Sequence, residues 1–172
     1  MWRHRGVAVR VSPTAVLLLA VFALVAPPVC LAAVLLAAGC HEAGHYMALR
    51  LSGGRLAAVS VSAFGAQMRV RNRYRLSYGR EALCVLAGPL VNGTLSWLLS
   101  LAGTRREELY IFAGAQLILG VFNLLPLWTL DGGRLLWIAI AWLTDPFLAD
   151  KVCRMVTAAL LLALAALGIG LW

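Results

Sequence analysis

A chain of 172 residues is short enough for one domain, but 62% of it is hydrophobic and only 13% charged, with a mean hydropathy of +0.87. Soluble domains run at about 45–50% apolar and about 25% charged, so a water-soluble globular fold is excluded and the surplus apolar surface requires lipid. The net charge of +8 would suit nucleic acid, yet the basic residues stand between apolar runs, as in cytoplasmic loops of membrane proteins, and no nucleic-acid partner is expected.

A membrane span needs about 20 mostly apolar residues. The first candidate runs from Val7 to Ala26, with Arg10 close enough to its end to snorkel. No small-residue cleavage site separates it from a polar mature chain, so this span is expected to remain. Pro27-Pro28 then breaks the helix, and a second span runs from Val29 to Leu51 and stops at Gly53-Gly54. Between Arg55 and Arg75 the period changes to two. Val59, Val61 and Ala63 alternate with Ser60, Ser62 and Phe64; after Gly65, Met68, Val70 and Asn72 alternate with Arg69, Arg71 and Arg73. That pattern predicts a β-hairpin. Irregular backbone at membrane depth survives only against protein or a water-filled cavity, which places the hairpin beside a functional site.

A third span is predicted from Glu81 to Leu101, a fourth from Leu109 to Leu125, a short fifth from Arg134 to Leu143, and a sixth from Val152 to Trp172. The fold class is therefore an all-α polytopic membrane protein of about six transmembrane helices with a small β-hairpin between the second and third, residues 1–172 forming a single domain. With six spans, all but Arg105, Arg106, Lys151 and Arg154 of the fifteen basic residues fall on the side of the N-terminus. The positive-inside rule then puts both termini in the cytoplasm. The four cysteines (Cys30, Cys40, Cys84, Cys153) have no C-x-x-C spacing and read as small buried hydrophobes. Gly103, Gly114 and Gly120 suit close helix packing, and Arg69 to Arg75 suit lipid headgroups or acidic substrate segments.

The second span carries the chemistry. His41-Glu42-Ala43-Gly44-His45 puts two of the chain's three histidines and one of its seven acids among Val, Leu, Ala and Gly. Residues four apart share a helix face about 6 Å apart, so His41 and His45 can grip one metal while Glu42 reaches its water. Ionisable groups inside a span are costly and point to function. His41 lies twelve residues into this span, roughly 18 Å at 1.5 Å per residue, which puts the site nearer the cytoplasm. Catalytic zinc usually takes three protein ligands. Glu107 and Glu108 sit in a polar loop, Asp145 and Asp150 border another, and Glu81 suits a helix start. Asp131 follows the apolar stretch Leu117 to Leu130 at a break made by Pro126 and Gly132-Gly133, and is taken as the third ligand of one Zn²⁺ per chain.

These residues resemble the site-2 protease family of intramembrane zinc metalloproteases. That family carries H-E-x-x-H on one span and N-x-x-P-x-x-x-x-D-G on a later one, here Asn123 to Gly132; a third signature, G-P-x-x-N, is Gly88 to Asn92. The resemblance runs from about Ser12 onward. With room for neither a PDZ nor a CBS domain, the chain looks most like the branch that processes a pro-sigma factor in sporulation. It implies a protease of the bacterial cell membrane that cleaves a membrane-associated protein substrate in or near its membrane segment. Asn92 and Asn123 become candidate substrate or transition-state contacts (interhelical hydrogen bonding being the alternative), and a regulatory membrane protein becomes a candidate partner. The reading from another class is a metal-binding membrane scaffold or transporter, which would leave Glu42 redundant.

Overall fold

The computed structural model describes the chain except residues 1, 5–6, 63–64, 72–75, 103–105 and 171–172. Ala63, Phe64, Asn72, Arg73, Arg75, Gly103, Arg105 and Trp172 therefore lie outside the described residues. The element order is β1 (Trp2–His4), β2 (Val7–Val11), α1 (Pro13–Val25), α2 (Pro28–Leu51), β3 (Leu56–Ser62), β4 (Gly65–Val70), α3 (Tyr78–Ala102), α4 (Glu107–Asn123), α5 (Asp131–Leu143) and α6 (Pro146–Gly170). Among the described residues these are six helices, as the apolar runs predict, and one small sheet. Three helices (α2, α3 and α6) are long and apolar enough to cross a bilayer, while α1 is shorter. The chain divides into two compact units, Met1–Gly120 and Val121–Trp172.

In the first unit the hairpin forms where period two predicted it, β3 antiparallel to β4 with Val59 opposite Met68 and Val61 opposite Ala66. Gly65 sits at φ +106°, a conformation that favours glycine, and this fits its place at the turn. The hairpin is not alone. Val7–Val11, expected as the start of the first span, is a strand that pairs parallel to β3, Val9 beside Val59 and Val11 beside Val61. Val7, Val9 and Val11 alternate with Ala8 and Arg10, and β-branched residues at period two favour a strand once a partner edge is present. Arg10 accordingly belongs to the sheet. Trp2–His4 pairs antiparallel to β2, giving the order β1-β2-β3-β4.

The first helix thus starts at Pro13. Ser12 caps it, its hydroxyl accepting from the Ala15 N–H at 3.3 Å, while the Ser12 N–H donates to the Val61 carbonyl at 2.8 Å. Thirteen residues give about 20 Å of helix, against a hydrocarbon core of about 30 Å. Helices α2 and α3 are the principal helix pair of this unit. They come close because both carry glycine at the crossing: a methyl group at Gly44 would lie 2.7 Å from the Ala87 carbonyl oxygen. The α3–α4 contact includes the Ser96 hydroxyl donating to the Ala113 carbonyl at 2.8 Å.

In the second unit α5 and α6 pack together. The irregular segment between α4 and α5 folds back on Gly132 and Gly133, where an added Cβ would collide with the Leu124 and Leu127 carbonyls respectively. The Trp128 N–H donates to the Thr157 hydroxyl at 3.0 Å, and the Trp137 indole N–H to the Asp150 carboxylate at 2.6 Å. Helix α6 begins six residues earlier than predicted. Asp145 does not merely end the preceding helix: its carboxylate accepts from the Phe147 and Leu148 N–H groups at 2.8 and 3.0 Å, capping α6.

Candidate metal centre

Helix α2 is uninterrupted from Pro28 to Leu51, so His41 and His45 lie one turn apart on the face turned to α3. His41 is buried and His45 half-buried. Their Nε2 atoms are 3.0 Å apart, and the rings meet edge to face with centroids 4.6 Å apart. Gly88 of α3 makes room for both rings. A methyl group there would come within 2.5 Å of His45 Nε2 and 2.9 Å of His41 Cε1.

The other ring nitrogens decide what the Nε2 atoms offer. His45 Nδ1 lies 2.8 Å from the Cys84 backbone carbonyl, which can only accept, so this nitrogen carries the proton. His41 Nδ1 lies 2.5 Å from Asn92 Oδ1. The Asn92 amide is oriented by its other contacts: Nδ2 donates to the Ala37 carbonyl at 3.2 Å and to Gln116 Oε1. Its oxygen is thereby the group turned to His41, and His41 Nδ1 donates to it. In their neutral forms both imidazoles then present Nε2 as an acceptor. Two acceptors at 3.0 Å repel unless a cation lies against both, and a metal bound to both nitrogens satisfies this donor set. The residues fit a metal.

Glu42 follows His41 on α2 and is half-buried. Asp131 is the first residue of α5, half-buried and followed by Gly132-Gly133, in the second unit. Asn123 ends α4 and is half-buried. Asn92 is fully buried, with its amide engaged by His41, Ala37 and Gln116. The sequence reading singled out Asn92 but not its partners, and it passed over Gln116 and Gly88. A polar amide at position 116 inside the apolar run Leu109 to Leu125 is the signal that could have found the first. Gly88 stood in plain view within the G-P-x-x-N signature.

Residues 102–167 match the family model described as Peptidase family M50. This stretch includes Asn123 and Asp131; the histidine pair lies upstream of it. Stage IV sporulation protein FB of Bacillus subtilis (strain 168) is 29% identical over 102 residues, which is 57% of this chain and 35% of that protein. The match thus spans about a third of the relative's length. Among solved structures, the site-2 protease from Methanocaldococcus jannaschii superposes with a TM-score of 0.76 over 98% of this chain and 83% of that one, at 20% identity. That likeness establishes a shared fold.

Proposed function

From its place in the site-2 protease family, supported by the family model, the sporulation relative and the archaeal fold together, we propose that this integral membrane protein is an intramembrane zinc endopeptidase. The observation that carries the reading is the pair of Nε2 acceptors, 3.0 Å apart and each held by a hydrogen bond at its opposite nitrogen. His41 and His45 are two ligands, and Asp131 is the third. Zinc in such a site polarises a peptide carbonyl and lowers the pKa of water to about 7. The Glu42 carboxylate takes the proton of the attacking water and returns it to the leaving amide nitrogen. Asn123 contacts the substrate backbone beside this group.

A helical substrate hides its carbonyls in internal hydrogen bonds and must be extended to react. The sheet suits that task, because β3 is flanked by β2 and β4, leaving β4 with an outer edge for an incoming strand. Exposed Arg69 and Gln67 lie on β4. The arginine distribution supports both termini being cytoplasmic, and the Bacillus relative supports a bacterial cell membrane. The substrate class is a membrane-tethered transcription or sigma factor, in keeping with the sporulation name of the Bacillus relative, and a membrane regulator is a second partner. A scaffold or transporter could use the same histidines but gives Glu42 no task.

Co-expression with a tethered substrate tests this. Glu42→Gln should abolish cleavage while the purified protein still holds zinc; cleavage that persists in this variant refutes the assignment.

A further inference from the structure

The metal reading leaves two fully buried amides without a task. Asn92 is 0% and Gln116 1% exposed, and both belong to predominantly apolar helices. Burying an amide costs several kcal/mol unless its hydrogen bonds are replaced, so two side by side require a reason beyond filling space. Their bonds form a directed chain. Gln116 Oε1 on α4 accepts from Asn92 Nδ2 on α3; Asn92 Nδ2 also donates to the Ala37 carbonyl on α2; Asn92 Oδ1 accepts from His41 Nδ1. Gly120 lets α4 approach, since a methyl group there would lie 3.0 Å from Asn92 Cβ.

We infer that Gln116 and Asn92 are positioning residues that hold the His41 imidazole in its Nδ1–H tautomer and thereby set its strength as a metal ligand. The inference rests on the metalloprotease reading above. The Ala37 carbonyl and Gln116 Oε1 are two acceptors that both require the NH₂ side of the Asn92 amide. Together they oppose a flip that would turn this NH₂ toward His41 and drive the histidine into the opposite tautomer, with its proton on Nε2. Partners of this kind on a ligating histidine commonly change metal affinity about 10–100-fold when removed. Gln116 lies outside all three sequence signatures, so the device is not visible from them.

The test uses the full chain in lipid nanodiscs, labelled with ¹⁵N-histidine. With His4→Gln as background, only the two α2 histidines contribute signals. In metal-free protein at alkaline pH, His41 should show a protonated Nδ1. Asn92→Ala should give a mixture of tautomers, and zinc affinity measured by chelator competition should fall about 10–100-fold. Gln116→Leu should move both readouts in the same direction by less, and Gln116→Glu, which keeps an acceptor oxygen, should restore them. Ser96→Ala removes another buried bond between the same two helices, to the Ala113 carbonyl, and should leave tautomer and affinity unchanged. An Asn92→Ala protein with a protonated Nδ1 and wild-type affinity overturns the inference, as does an equal loss in Ser96→Ala. A wild type that binds no zinc overturns the metalloprotease reading itself, a result distinct from wild type and Asn92→Ala binding equally.

Discussion

Replacing Gly88 by alanine adds one methyl group at the point where α3 faces both imidazoles. Built on the present backbone, that methyl lies 2.5 Å from His45 Cε1 and Nε2 and 2.9 Å from His41 Cε1. Comfortable separations for such atoms are about 3.5–4.0 Å, so the rings or the helices must give by about 1 Å. The helices resist, because Gly44 already lies against the carbonyl of Ala87, the residue next to Gly88. The rings therefore move, and each pulls against its Nδ1 bond to Asn92 or Cys84. Overpacking of this size costs about 1–3 kcal/mol, and a displacement of about 1 Å at a reacting centre costs about 100-fold in rate. Zinc per chain, chelator competition and substrate cleavage should all fall in Gly88→Ala. The matched control is Gly93→Ala on the same helix, where the added methyl meets nothing within 4 Å. There the better helix propensity of alanine should raise stability by up to about 1 kcal/mol and leave zinc binding alone. If Gly88→Ala binds zinc and cleaves like the wild type, the histidine rings are not confined as described.

Asp131→Asn should weaken zinc binding and abolish cleavage while leaving the thermal stability of zinc-free protein near that of the wild type; retained zinc would mean that the third ligand is another group. Asp145→Ala removes the side chain that accepts from Phe147 and Leu148 and should cost about 1 kcal/mol in reversible unfolding, with cleavage of a tethered substrate preserved once the protein is folded.

The helices were legible in the sequence because long apolar runs broken by Pro27-Pro28, Gly53-Gly54 and Asp145-Pro146 leave few alternatives. Val7–Val11 was not. Five residues of period two vanish in the average of a longer apolar window, and their strand conformation depends on an edge supplied by residues 58–61. The start of α6 was misjudged for a local reason, since Asp-Pro reads equally well as a stop or as a cap and first turn. At the site, the i,i+4 histidines declare themselves by spacing alone. The role of Asn92 depends on a contact with His41 across 51 positions, and that of Gln116 on a further one across 24. Neither can be read without the packing of α2, α3 and α4.

Since Ser12 both caps α1 and donates its N–H to the Val61 carbonyl of β3, no slack separates the first helix from the hairpin. A helix this brief must sink, tilt or thin the lipid around it, and whatever posture it adopts is handed on to β3 through the four β2–β3 pairs, Ala8 to Val11 beside Ala58 to Val61. Bilayer thickness thereby gains a lever on the sheet that follows the second helix.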